Sequence, residues 1–188
     1  SFQGAKILAI GEGGMLVTND KKIYQEAKKY ADMYETREFW HEKIGYMYEM
    51  NNVSAAVGLG QLEHIKELLD KKRQIFNWYK EGLRELRGVL FLNQDTVKGI
   101  SNYWMSSIVV NSAENRNKLR KFLKEKEIDT RPFFQPISSF GLYKYKYKTI
   151  VSHSVGNRGI NLPSTVKLTK VEVDYVISQI KAYYQKNT

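Results

Sequence analysis

From Val53 to Leu86 the apolar residues return at helical spacing: Val53, Ala56, Val57, Leu59, Leu62 and Ile65, then Leu68, Leu69, Ile75, Phe76, Tyr79, Leu83 and Leu86. Only an amphipathic helix, either two in tandem or one bent, sets such residues along one side. Asn51-Asn52 can cap its start and Gly88 ends it. Past Gly88 the composition changes. Val89 to Leu92 reads as a short strand, and Asn102 to Asn111 as a better one, rich in β-branched and aromatic residues. Ser112 caps a helix over 114–126, and Ile128 to Arg131 returns as a strand. Pro132 and Pro136 bound an extended segment. Gly159-Ile160-Asn161-Leu162-Pro163 leads into a final helix capped by Thr169, with Val171, Val173, Val176, Ile177 and Ile180 as its apolar stripe. The pattern predicts two parts: residues 1–88, closing with the long helix, and a small α+β domain over 89–188.

Ahead of the long helix, Ile7 to Ile10 reads as a strand, Gly11-Glu12-Gly13-Gly14 as a turn, and Met15 to Thr18 as a second strand. Asn19-Asp20 can cap a helix over Lys21 to Tyr34, whose apolar face is Ile23, Ala27, Tyr30 and Ala31. Residues 35–50 are aromatic-rich and irregular. Lys6 stands at the lip of the first strand, between Gly4-Ala5 and the apolar run. An ammonium placed there can be partly desolvated, which lowers its pKa and frees an amine to attack a carbonyl. The same features also fit a solvated lysine at the end of a hairpin.

Charge and composition narrow the classes. The 188 residues are 42% hydrophobic and 27% charged, ordinary for a globular protein. With no cysteine, disulfides and thiolate metal sites are excluded, and a cytoplasmic location is expected. No apolar run reaches the ~18–20 residues that span a bilayer, so no membrane association is expected. The chain opens on Ser1 inside a motif, so a fragment of a longer protein is expected. A net charge of +10 attracts polyanions, among them substrates that carry phosphates. Most of the excess lies in runs such as Lys71-Lys72-Arg73, the usual mark of a solvated helix face. The run from Lys144 to Lys148 interleaves Lys and Tyr as single-stranded nucleic-acid surfaces do, but it reads better as a surface loop, and no nucleic-acid partner is expected. No His/Asp/Glu cluster has metal-ligand spacing, so no metal is expected.

The string Ser-Phe-x-x-x-Lys followed by Gly-Glu-Gly-Gly-Met (Ser1 to Met15) resembles the lysine segment of the DegT/DnrJ/EryC1/StrS sugar aminotransferases. The resemblance continues through WHEKIGYMYEMNNVSAAVGLGQLEHI, RPFFQPI and GINLPS, in family order along nearly the whole chain. It implies the C-terminal half of a fold-type-I pyridoxal-phosphate transferase of α/β class. That half comprises the end of the large α/β domain, a long linking helix and a small α+β domain. The upstream half would supply the carboxylate for the pyridinium nitrogen, the aromatic on the ring and the helix end at the phosphate.

By this resemblance Lys6 is the Schiff-base lysine and proton shuttle, and Ser1 bonds the cofactor phosphate. A histidine replaces the lysine in the dehydratase branch, so Lys6 implies amino transfer. The 39–52 segment is expected to cross a homodimer, with Trp40 and His41 lining the neighbouring site. Where the family's phosphate-binding asparagine falls, this chain has Met47, with Glu49 two residues on. A carboxylate beside a phosphate is unfavourable, so the contact passes to Asn51 or Asn52, or is lost, or Glu49 points away. Both asparagines also fit simple helix caps. Arg131, held between prolines, would present its guanidinium to a phosphate or sugar oxygen, or would join a surface ion pair. The implied reaction carries an amino group from L-glutamate to a keto-deoxy sugar on a nucleoside diphosphate. The Trp-His-x-x-Ile-Gly-Tyr segment looks most like enzymes acting on 4-keto-6-deoxy sugars. The Met47 and Glu49 departures leave a second reading, a relative that binds cofactor or sugar without turnover.

Overall fold

A computed structural model describes residues 1–92, 94–143 and 147–186, and the chain divides into two compact units, Ser1–Lys66 and Glu67–Thr188.

In the first unit Asp20 caps α1 (Lys21–Ala31), its carboxylate accepting from Lys22 N at 2.7 Å and Ile23 N at 3.2 Å. The helix stops short of the expected Tyr34 because Met33 and Tyr34 both adopt φ of 53°, outside any right-handed helix. The turn they make brings the Tyr34 hydroxyl 2.6 Å from Glu26, to which it donates. Within the segment expected to be irregular, β1 (Glu35–Arg37) and β2 (Trp40–His41) form a small antiparallel hairpin. Asn51 then caps α2 (Asn52–Glu63), accepting from Ser54 N at 2.8 Å. Of the two alternatives for the long apolar run, two helices are found: α2 closes at His64 and α3 (Ile65–Leu83) follows.

The strands expected at Ile7–Ile10 and Met15–Thr18 do not form. Strand-forming residues need a ladder, and in the first segment backbone groups of Ala9 and Ile10 are taken elsewhere. Ala9 gives both its N–H and its C=O to the side-chain amide of Gln61 on α2, and Ile10 N donates to Phe2 O at 2.9 Å.

The second unit carries the packed core. Its sheet runs β3 (Leu90–Phe91), β4 (Ser106–Val109), β6 (Gly159–Leu162), β5 (Arg131–Pro132), every pair antiparallel. Ile108, Ile160 and Leu162 point from one face into a cluster with Ile75, Tyr79 and Leu83 of α3, Leu119 and Leu123 of α4 (Ala113–Glu125), and Val173, Ile177 and Ile180 of α6 (Lys170–Lys186). The helix before Gly88, read from sequence as the end of the first part, therefore supplies three side chains to this core. Ser112 caps α4 at Asn115 N, 3.0 Å away. Thr169 and Glu172 exchange bonds at the start of α6 in a reciprocal capping box. Of the expected α6 stripe, Val171 lies on the solvent side, 78% exposed.

Three differences concern segments with weak patterns. The strand expected at Ile128–Arg131 is found at Arg131–Pro132, because Ile128 turns into the core instead of joining the sheet. Residues 159–162, expected only to lead into a helix, are the strand β6, buried at all four positions. The helix α5 (Ile150–Arg158) was not expected. Gly156 O near its end is held from outside by Arg116 and Gln135, while Arg158 of the helix itself donates to Ser154 O.

Two polar side chains of α3 hold the segment after β6. Lys72, only 8% exposed, donates to Trp104 O at 2.8 Å and Ser164 O at 2.6 Å, and burial pulls its pKa down. The fully buried Tyr79 donates to Pro163 O at 3.0 Å, and burial pushes its phenol well above the usual 10.0. A group with a raised folded-state pKa stabilises below its unfolded value and loses that contribution as pH climbs toward its folded value. Tyr79→Phe should thus cost about 1 kcal/mol at neutral pH, with Pro163 O left without its donor. It should also flatten the loss of stability above pH 10.0. Urea melts of both proteins between neutral pH and pH ~11 test this; parallel alkaline declines would refute it.

Candidate active site

Lys6 sits in a loop closed by main-chain bonds, Phe2 N to Gly13 O at 2.8 Å and Gly4 N to Gly11 O at 3.0 Å. Gly11 and Gly13 have φ of 93° and 143°, and a side chain at either would be strained. Lys6 N donates to Gln3 O at 2.9 Å, which turns the chain at the lysine itself. Two contacts fix this loop to α2: the Gln61 amide on Ala9, and the buried Ile10 side chain against Gly58, where an added Cβ would lie 3.0 Å from Ile10 Cγ2. The lysine is half-buried, between the exposed Gly4-Ala5 and the partly buried Ile7-Leu8. A loop closed by backbone bonds thus carries the primary amine of a half-buried lysine.

Ser1 is exposed and lies in the same loop, its hydroxyl 3.5 Å from Gln3 N. Gln3 therefore touches both residues, one through its N–H and one through its C=O. Asn51 and Asn52 lie exposed at the start of α2, the helix that anchors the lysine loop. The Asn51 oxygen is engaged as a cap, which leaves its amide N–H groups as donors. Trp40 and His41 are both exposed on β2. Arg37 lies over the Trp40 ring at 4.8 Å, and His41 Nδ1 donates to Met33 O at 3.2 Å. Met47, 73% exposed, bridges to Asp32, and Glu49 is exposed.

Arg131 belongs to the second unit, where it is exposed on the edge strand β5. Among the described residues it has no ion-pair or hydrogen-bond partner for its guanidinium. Three residues on, the exposed Phe134 stacks on Trp104 with ring centroids 6.1 Å apart. Sequence reasoning missed Gln61 as the anchor of the lysine loop, although it lies inside the quoted GLGQLEHI string. It also missed Ser107 and Asn161, whose pairing spans the sheet and leaves no local signal. Residues 144–146 of the Lys/Tyr run lie outside the described residues. Among the described residues, no helix is long and apolar enough to cross a membrane, and no group of three His, Asp or Glu could hold a metal ion.

A lysine loop pinned to a helix, followed by a helix-covered antiparallel sheet, is the fold of the C-terminal portion of a fold-type-I transferase. The aminotransferase TlmJ of Streptoalloteichus hindustanus superposes with a TM-score of 0.91 over 100% of this chain and 52% of its own, at 24% identity. The chain belongs to the DegT/DnrJ/EryC1/StrS aminotransferase family, which matches residues 1–181. Among its relatives, the GDP-perosamine synthase of Escherichia coli is 40% identical over 187 residues, covering 98% of this chain and 50% of that protein. The GDP-perosamine synthase of Vibrio cholerae is 32% identical over 192 residues, covering 98% and 52%. The chain spans about half the length of the curated relatives it matches.

The donor set fits the pyridoxal phosphate used by this family. A half-buried primary amine suits the aldehyde, while an exposed hydroxyl and neutral amide N–H groups suit a phosphate.

Proposed function

We propose that this chain carries the lysine-bearing part of a pyridoxal-phosphate-dependent aminotransferase. The enzyme moves an amino group from L-glutamate to a keto-deoxy sugar joined to a nucleoside diphosphate, in the cytoplasm, as a homodimer. The observation that carries the reading is Lys6: half-buried, on a loop closed by backbone bonds, in a chain matched by the aminotransferase family over residues 1–181. The perosamine-synthase relatives support a 4-keto-6-deoxy sugar nucleotide as the acceptor.

In this reading Lys6 would hold the cofactor covalently, and Ser1 with Asn51 or Asn52 would hold its phosphate. When bound, pyridoxal phosphate supplies the electron sink that makes a carbon acid of the amino donor. Once the donor's amino group displaces it from the cofactor's aldehyde carbon, the freed Lys6 amine would take the proton from the donor's α-carbon and deliver it to that aldehyde carbon, which leaves the amino group with the cofactor. The Gln61 amide and the Ile10–Gly58 contact keep the loop from drifting during the transfer, since small displacements of a reacting group are costly. Arg131 takes an oxygen of the sugar nucleotide's diphosphate, a charge-assisted contact that suits a planar guanidinium. Trp40 and His41, on their exposed hairpin, contact the sugar bound in the neighbouring subunit.

The test uses the full-length enzyme loaded with pyridoxal phosphate. Its visible absorbance should shift on adding L-glutamate and return on adding a nucleoside-diphosphate 4-keto-6-deoxy sugar, with amino sugar nucleotide as product. A band that L-glutamate never moves would refute the transferase. It would favour a relative that binds without turnover, the reading that the exposed Met47 and Glu49 support.

A further inference from the structure

Arg131 stands on a strand too slight to hold it. The strand β5 is two residues long, lies at the sheet edge and includes Pro132, which has no N–H for the ladder. Both neighbours of Arg131 are nevertheless pinned by side chains from elsewhere in the same unit. On one side Arg120 of α4 donates from Nη2 to Thr130 O at 2.9 Å and from Nε to Thr130 Oγ1 at 3.3 Å, and Thr130 is only 6% exposed. On the other side Asn161 of β6 donates from Nδ2 to Pro132 O at 3.4 Å. The Asn161 amide is itself oriented by Ser107 of β4, whose hydroxyl donates to Asn161 Oδ1 at 2.7 Å. Phe133 N then donates to Gly159 O at 3.0 Å, closing the far end.

The register explains how these residues meet. Ser107 pairs with Asn161, and Asn161 with Arg131, so the three side chains form one row across the sheet. That row lies on the face opposite Ile108, Ile160 and Leu162. Ser107 is fully buried and Asn161 nearly so. Burying polar groups costs stability unless they are bonded, and an apolar pair would fill the same places more cheaply. The polar pair does what an apolar pair cannot: it ties down the carbonyl next to an exposed guanidinium that has no partner among the described residues.

We propose that Ser107 and Asn161, together with Arg120, are positioning residues for Arg131. They fix its backbone so that the guanidinium meets a diphosphate oxygen without first having to be ordered. The inference rests on the reading of Arg131 as a substrate contact.

A double-mutant cycle on the full-length, cofactor-loaded enzyme tests it. GDP serves as the probe in calorimetry, and KM and kcat for the keto-sugar nucleotide are measured in parallel. Arg131→Ala should weaken GDP by about 10- to 100-fold, as expected for a lost charge-assisted bond. Asn161→Leu should weaken GDP by roughly 5-fold and act on KM more than on kcat. In the Arg131→Ala background the same Asn161→Leu change should have less than about a 2-fold effect, because nothing remains to be positioned. Equal effects of Asn161→Leu in both backgrounds, or none in either, would overturn the positioning role. Arg131→Ala without effect on GDP would instead remove the substrate contact itself, a distinct failure. If Asn161→Leu does not fold, Ser107→Ala carries the same cycle, since it deletes only the hydroxyl that orients the amide.

Discussion

Lys6→Ala should abolish amino transfer, lowering turnover by on the order of 10³-fold or more, because it removes both the covalent anchor and the proton carrier. Cofactor should still bind in part, through contacts to its phosphate and ring. Lys6→Arg should be nearly as damaging. A guanidinium keeps the positive charge but stays protonated, so it can neither hold an aldehyde covalently nor exchange a proton near neutral pH. The two variants thus separate a reacting amine from a lysine that only lends charge to a phosphate, where arginine would serve well. Borohydride treatment followed by peptide mass spectrometry gives a readout apart from turnover. Cofactor mass should be fixed on Lys6 in the parent enzyme and on no residue in either variant. Near-native activity in the arginine variant would end the assignment.

A large structural effect is expected at Gly159, where α5 passes directly into β6. A Cβ built there would lie 2.5 Å from Phe133 Cβ and 2.8 Å from Val155 O, and the second of these is backbone that cannot rotate aside. Gly159→Ala should therefore cost about 3 kcal/mol, the upper end of the usual cost of overpacking. The damage should also reach β5, because Gly159 O accepts from Phe133 N. Gly99→Ala is the matched control, since a Cβ there meets nothing within 4 Å. Denaturant melts of the two variants should differ by most of that amount, and equal midpoints would show that the close approach has been overestimated.

The parts of this fold that were legible in sequence are those decided by neighbouring residues. Asp20, Asn51, Ser112 and Thr169 are caps because a short polar side chain reaches a backbone N–H two or three residues on. Gly88 ends its segment with a φ of 82°, a conformation that glycine adopts without strain. What the sequence concealed was decided at long range. The α5 stretch IVSHSVGNR has no apolar stripe, and its helix relies on guanidinium and amide groups from other elements. The β6 strand is buried on both faces and so lacks the alternation that marks a half-exposed strand. The first strand of the hairpin expected at 7–18 gives the backbone of Ala9 to a helix side chain, Gln61, which no pattern in its own string announces. The site divides in the same way. Lys6 and Arg131 stood out by their local strings, whereas Gln61, Ser107 and Asn161 act across the fold and could be found only in three dimensions.

The sheet of the second unit also sets an order of events during synthesis. Its two central strands are β4 and β6, and Ser106 pairs with Leu162, so the middle of the sheet joins segments separated by the whole of α4, β5 and α5. While the ribosome is still translating the intervening stretch, β4 has only the two-residue β3 beside it. Its other edge, along Ser106–Val109, stays open until Gly159–Leu162 emerges. Between the emergence of β4 and that of β6, the open edge of β4 therefore has no partner strand in this sheet. The burden on chaperones falls in that window, before the last strand of the sheet exists to close it.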